Sequence, residues 1–148
     1  MIQHIKDSAT AVGILAVITN SAEKIETQLN TLTTRSEQPI MLVTWDIVSD
    51  LEFDGNGFLK NPQSNITALL VHKPNNLKKD VQEAKAESMG DLFQVFLQDL
   101  YTRLLPLQTT SEPPITGANY QRVPNYGLGK HAGILAKWRM ATGISNCS

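Results

Sequence analysis

The sequence contains a single cysteine, Cys147, and few charged residues. One cysteine cannot form a disulfide within the chain, which is typical of proteins from a reducing compartment. Charged residues make up 18% of the 148 residues, and the formal net charge is −1. This balance gives no electrostatic basis for nonspecific binding to nucleic acid or to an anionic membrane. The apolar run Ala11–Thr19 is shorter than the roughly 20 residues that a membrane-spanning helix needs.

Two stretches resemble ligand-binding loops but lack residues that their chemistry requires. In Asp50–Asn61, acidic and amide side chains are spaced as in a calcium loop, but Asn61 stands where a bidentate glutamate is needed. The segment Gly127–His131 resembles a phosphate loop, but that pattern needs Gly in place of Pro124 and Ser or Thr in place of His131. We interpret the first stretch as the tip of a hairpin and the second as part of the turn-rich segment Pro124–Lys130.

The other reactive side chains form no recognisable catalytic or metal-binding constellation. The histidines are scattered, without the spacing of metal ligands: His4, His72 and His131. His72 ends a predicted strand, where an acid could approach it in space. Cys147 lies on a terminal tail, a poor place for a preorganised nucleophile. Trp45 and Trp138 lie in strand-like segments, which indicates a core or interface role. We therefore predict that the protein is not an enzyme and has no catalytic, cofactor-binding or metal-binding residues and no cofactor.

One long amphipathic helix is the strongest structural signal in the sequence. In Met89–Leu105 the apolar residues recur at the 3.6-residue period, and Val95 alone lies well off that stripe. The charged segment Lys78–Ser88 is predicted to lead directly into this helix, with Gly90 weakening the junction and Pro106 ending the helix. Five residues of the stripe are expected to be buried against a sheet: Leu92, Phe93, Phe96, Leu100 and Leu104.

Several segments have the composition of β-strands. Pro39 precedes a β-branched and aromatic run, and the later segments end near turn-forming residues. The predicted strands are Ile40–Val48, Asn65–His72, the loosely alternating Ile115–Val123, and His131–Thr142. In the last of these, Ile134, Ala136, Trp138 and Met140 share one face, whereas Leu135, Lys137 and Arg139 share the other.

The N-terminal third contains one ambiguous segment and one clear helix start. Residues 2–18 are ambiguous between helix and strand, and both assignments stay open. Gly13 and the run Ile14–Ile18 suit a strand, whereas one helix face would consist of Ile2, Ile5, Ala9, Val12 and Ala16. Asn20 can cap a helix, and Glu23 three residues later can complete a capping box. Together the elements predict a single domain over residues 1–148. Its expected fold is α+β, a mostly antiparallel sheet with the long helix on one face and an N-terminal helix.

The outward side of the last predicted strand is the likeliest place for contacts with other chains. Leu135, Lys137 and Arg139 point away from the helix-bearing face, and the long polar segment 109–130 contributes loops near them. The predicted strands also show little of the internal proline and charge that shield solitary sheet edges. These features favour packing of the chain against copies of itself.

The order of the elements resembles that of the tail-terminator and head–tail connection (neck) proteins of tailed bacteriophages. The matching parts are Pro39–Val48, Asn65–His72, Ser88–Leu105 and Tyr126–Thr142. The resemblance implies a virion structural protein, assembled in the host cytoplasm, that forms a homo-oligomeric ring, commonly a hexamer. Such a ring ends the tail tube and joins it to the connector, so its partners are the neighbouring tail-tube and connector proteins. Neither a specific nucleic acid nor a membrane is expected as a partner.

Two other classes of function remain open from the sequence. One is a small ligand-binding module of α+β type with a pocket between the long helix and the sheet. It would need a convergent polar cluster, which the sequence does not show. The other is a monomeric adaptor that binds one unrelated partner. Neither alternative includes catalysis.

Overall fold

The computed structural model of the chain describes residues 2–19, 38–50, 53, 55–57, 63–73, 78–108, 113–126 and 131–141. Two helices and five strands follow one another along these segments. Their order and bounds are α1 Ile2–Ala11, β1 Leu15–Thr19, β2 Ile40–Asp50, β3 Gln63–His72, α2 Lys79–Leu104, β4 Ile115–Tyr126 and β5 His131–Ala141. The helix predicted from Asn20 lies outside the described residues.

The strands form one five-stranded sheet in the order β1-β2-β3-β5-β4. The β1–β2 pair is parallel, and the other three neighbouring pairs are antiparallel. Helix α2 packs against β5, β4 and β3, and α1 packs against α2 and β1. The predicted α+β fold is therefore confirmed, including the N-terminal helix and the long helix on one sheet face.

The ambiguous segment at residues 2–18 contains both of the structures that its sequence allowed. Ile5 and Ala9 are the buried apolar residues of α1, spaced one helical turn apart. Gly13 then turns the chain with a φ of 80°, a left-handed conformation that favours glycine. After this turn Leu15 begins a strand that runs parallel to β2, opposite Ile40. The parallel edge strand was not assigned from the sequence, since a five-residue apolar run is too short to distinguish from a buried helix segment.

Helix α2 begins at Lys79 and continues without interruption through Gly90. The charged segment and the apolar stripe therefore belong to one helix, as predicted. Val95, the residue off the stripe, is 56% exposed. Leu92 was expected to be buried but is only half-buried at the margin of the core. The stripe ends at Leu104, because the chain then tightens into a short 3-10 turn, Leu105–Leu107, that contains Pro106.

The main core lies between the helices and one face of the sheet. Phe96 is fully buried, and its ring centroid lies 5.9 Å from that of Trp138. Phe93 contacts the same indole, with 5.7 Å between ring centroids. Aromatic pairs at this separation contribute beyond the area that they bury. The core role predicted for Trp138 is confirmed, whereas the side chain of Trp45 lies outside the described part of the structure.

The opposite face of the sheet is divided into two halves. Over β2 and β3 it is apolar and buried, and its fully or nearly fully buried residues are Ile40, Leu42, Leu69 and Val71. Over β5 and β4 it is polar, and Lys137 and Arg139 are exposed there. The half of this face over β2 and β3 is therefore covered, and the half over β5 and β4 carries the exposed polar side chains.

Strand β4 is irregular, which explains its loose sequence alternation. Its pairing with β5 shifts register between Thr116 and Asn119 and again between Val123 and Tyr126. An extra residue in one strand of a pair reverses the side-chain alternation beyond it. The segment interpreted as a turn from Pro124 onward is strand through Tyr126. Regular alternation is therefore absent from the sequence although the segment forms a long strand.

Candidate functional site

The outward face of β5 carries two exposed cations in the middle of the sheet. Lys137 and Arg139 alternate with residues that are buried on the helix side, as predicted from the sequence. Half-buried Leu135 precedes them on the same face and packs against the buried apolar residues of β2 and β3. The sequence prediction that these three residues point away from the helices is confirmed.

The neighbouring strands place polar residues on both sides of each cation. Lys137 lies opposite Thr67 of β3 and Asn119 of β4. Arg139 lies opposite Asn65 of β3 and Thr116 of β4. Because directly opposed residues in a sheet share one face, each cation stands at the centre of a row of hydroxyl and amide side chains. The polar surface is thus produced by strand register.

These rows border an open groove of about 300 Å³. We call it the cationic groove, and its polar lining residues are Asn65, Thr67, Asn119, Lys137 and Arg139, together with Gly117. None of the described residues that line the groove is a carboxylate. Neither Lys137 nor Arg139 forms an ion pair within the described part of the chain. The groove therefore presents two positive charges and several hydrogen-bonding groups to whatever approaches this face.

The irregularity in β4 shapes one end of the cationic groove. Gly117 has a φ of 62°, and a Cβ placed on it would lie 3.3 Å from Arg139 Nε and 3.6 Å from Nη2. The guanidinium therefore lies against the glycine backbone. Asn119 Nδ2 donates a hydrogen bond of 3.4 Å to the Gly117 carbonyl oxygen. A residue with a side chain at this point would compete with Arg139 for the same space.

Elsewhere in the chain a comparable arginine is paired. Arg103 Nε lies 2.6 Å from Asp99 Oδ1, one helical turn away on α2. The hydrogen bond from Arg103 is the main reason why the pKa of Asp99 lies below its ordinary value, and partial burial opposes this effect. The contrast shows that α2 supplies a carboxylate partner to its own arginine, whereas no described residue supplies one to the cations of β5.

A second groove of about 430 Å³ lies between the first half of α2 and β4. We call it the acidic groove, and its charged lining residues are Asp80, Glu83 and Glu87 of α2 and Arg122 of β4. The three carboxylates recur at helical spacing and are exposed. The alternative of a ligand-binding module predicted a pocket between the long helix and the sheet, and this groove lies there.

Two of the three histidines lie near each other at one end of the sheet. His72 ends β3 opposite Ala132, the neighbour of His131 in β5. His72 Nδ1 accepts a hydrogen bond of 3.2 Å from Lys85 Nζ. His131 is 2% exposed, and burial lowers its pKa, with smaller electrostatic effects from Lys73 and His72. Among the described residues, neither ring nitrogen of His131 has a hydrogen-bond partner.

Several residues weighed in the sequence lie largely or wholly outside the described structure. These are Gly127–Lys130 of the phosphate-loop pattern, most of Asp50–Asn61, and Cys147. His4 lies on α1 and is half-buried. Within the described ranges, no group of three or more His, Cys, Asp or Glu side chains gathers where a metal ion could bind.

No protein-family model matches the sequence, and no curated protein matches it. In the part of the chain that the structure describes, neither helix combines the length and the apolar character needed to cross a membrane.

Proposed function

We propose that the chain is a structural subunit that assembles with copies of itself into a closed ring and carries out no catalysis. The observation that carries the proposal is the cationic groove. Its two cations have no carboxylate partner in the described chain, and they lie at the centre of an exposed sheet face. A partner that brings carboxylates to this face would satisfy both cations.

The edges of the sheet give partial support to self-assembly. The edge strand β1 has the sequence LAVIT, with no charge and no proline to shield its open side. The other edge strand, β4, is protected, because it contains Arg122, Pro124 and two register shifts. The sequence argument that the strands lack edge protection therefore applies to β1 but not to β4.

The proposed setting is the neck or tail end of a tailed bacteriophage. Its support is the resemblance in element order, and the confirmed α+β fold with its long helix is compatible with it. In this setting the chain is a virion component, the ring is a hexamer, and its neighbours are the tail-tube and connector proteins. Nucleic acid has no specific role in the proposal.

The experiment that tests this proposal counts the copies of the chain in its native assembly. The chain is tagged in its natural host, the assembly is isolated through the tag, and particles are imaged. The expected result is a symmetric ring in which every subunit makes the same pair of contacts. A complex that contains one copy of the chain, away from any symmetric ring, would contradict the proposal.

A second function, binding of a small anionic ligand, is favoured by one observation. The cationic groove has the size of a small ligand site, and its five polar side chains converge from three strands. Calorimetric titration of the monomer with citrate and inorganic phosphate distinguishes the two functions. Saturable binding that is lost in Lys137→Gln/Arg139→Gln favours the ligand module, and absence of heat favours assembly.

A further inference from the structure

The cationic groove and the acidic groove lie on opposite faces of the sheet. Lys137 and Arg139 occupy the outward face, whereas Glu83 and Glu87 belong to the helix that packs on the other face. We propose that the acidic groove of one copy binds the cationic groove of the next, so that subunits join head to tail. This inference rests on the proposed function and specifies the contact through which the ring forms.

The spacing of the charges is the first support for this contact. Glu83 and Glu87 lie one turn apart on a helix, which separates their Cβ atoms by about 6 Å. Lys137 and Arg139 lie two residues apart on a strand, a separation of about 7 Å. Two carboxylates at helical spacing can therefore meet two cations at strand spacing without rearrangement of either element.

The balance of charge is the second support. Among the described lining residues, the cationic groove has two positive charges and no carboxylate, whereas the acidic groove has three carboxylates and one cation, Arg122. Lys79 Nζ also lies 4.0 Å from Glu83 Oε1, but both side chains are mostly exposed, so this pair is weak. The acidic groove thus keeps an excess of negative charge that complements the cationic groove.

The placement of the two grooves determines the type of assembly. Because they lie on opposite faces, one neighbour cannot occupy both grooves of the same subunit. Each copy then uses its cationic groove with one neighbour and its acidic groove with another. Such a heterologous contact produces a ring if the rotation between copies closes, and a filament if it does not.

Charge reversal tests the contact by sedimentation velocity over a wide concentration range. One variant carries Lys137→Glu/Arg139→Glu, a second carries Glu83→Lys/Glu87→Lys, and a third, the swap variant, carries all four substitutions. The swap variant keeps the net charge of −1, because two cations and two carboxylates exchange signs. Lys6→Glu serves as the control, since this exposed cation lies on α1 and lines neither groove.

The wild type is expected to associate, and each double variant to lose at least about 100-fold in association constant, because like charges then face each other. A mixture of the two double variants, and the swap variant alone, are expected to recover association, whereas Lys6→Glu leaves it unchanged. Higher salt is expected to weaken the wild-type association, because these charges are exposed.

Three results would overturn the proposed contact between the two grooves. They would not test whether the chain forms a ring, which is tested by the copy count in the native assembly. One is a wild type that stays monomeric at every concentration. Another is association that persists in both double variants. The third is loss of association in the double variants without recovery in their mixture or in the swap variant. Failure of the proposed function has a different signature, a single copy per native complex.

Discussion

The Arg139 guanidinium lies against the backbone of Gly117, where a Cβ would come within 3.3 Å of Nε. The glycine belongs to the edge strand β4, and the arginine to its neighbour β5. One irregular position in an edge strand therefore lies directly against a charge of the proposed subunit contact. The relationship links the backbone conformation of β4 directly to the chemistry of the cationic groove.

Gly117→Ala is expected to lower stability and to displace Arg139. A φ of 62° costs a residue with a Cβ about 1–2 kcal/mol, and the Arg139 guanidinium would have to shift by a few tenths of an ångström to make room for the new methyl group. Urea denaturation measures the first effect, and sedimentation velocity measures the consequence for association. Gly55→Ala is the control, because Gly55 has nothing within 4 Å of its Cβ position and no left-handed φ. Equal midpoints for the two variants would contradict the prediction.

Gly133→Ala is expected to be far more damaging, because two strands approach closely at this glycine. A Cβ on Gly133 would overlap the carbonyl oxygen of Leu70 and lie 2.7 Å from the Val71 Cα. Backbone atoms in the centre of a sheet cannot move aside without breaking ladder hydrogen bonds. We expect a loss of about 3 kcal/mol or more in the free energy of unfolding, measured by urea denaturation. Stability within experimental error of wild type would show that the strands are farther apart.

The neighbours Phe96 and Val95 provide a matched test of the long helix. Phe96 is fully buried, and Val95 is 56% exposed on the same turn. Phe96→Ala is expected to cost about 3–5 kcal/mol through lost burial and cavity formation. Val95→Ala is expected to change stability by no more than about 0.5 kcal/mol. Thermal or urea unfolding of the two variants checks which side of α2 is buried. A larger loss of stability in Val95→Ala than in Phe96→Ala would refute the assignment.

His131 is expected to make the fold sensitive to acid. Its pKa is lowered from 6.5 mainly by burial, so the folded state keeps the ring neutral where the unfolded state binds a proton. The contribution of His131 to the free energy of unfolding is therefore fully present above about pH 6.5, and it is lost as the pH drops toward the folded-state pKa. Because one proton is involved, this group changes the free energy of unfolding by at most about 1.4 kcal/mol per pH unit.

Comparing wild type with His131→Leu by urea denaturation at several pH values isolates this effect. The variant is expected to show a flatter pH dependence below pH 6.5. Lys73→Met is expected to narrow the pH range over which stability changes, which lies between the unfolded-state and the folded-state pKa of His131. The reason is that the positive charge of Lys73 contributes to the lowered folded-state pKa. Equal slopes in wild type and His131→Leu would contradict the prediction. From the sequence, replacement of His131 is expected to leave stability nearly unchanged, and the same measurement tests that expectation against the one drawn from the burial of the ring.

The helix and the last strand were predictable because their signals are local. Apolar residues recur about every 3.6 positions in α2 and every second position in β5, and these periods indicate which side of each element is buried. The burial of Phe96 and of Trp138 confirms the two patterns. The cationic groove was only half predictable. The alternation in β5 identifies Lys137 and Arg139 as outward residues. Asn65 lies beside them because of the register between β3 and β5, which no local sequence pattern determines.

The acidic groove was not predictable for a related reason. Glu83 and Glu87 read as an ordinary solvated helix face, and only the packing of β4 brings Arg122 to them. Likewise, the irregularity at Gly117 removes the alternation by which β4 could have been aligned to β5. Contacts between segments far apart in the chain therefore account for most of what the sequence left open.

The central claim, that copies of this chain form a closed ring, is tested most directly by the mass of the native assembly. Native mass spectrometry of the complex isolated through a tagged chain measures the number of copies per particle. The account predicts one discrete stoichiometry with several identical copies, and six is the number favoured. A particle that contains a single copy of the chain would contradict it.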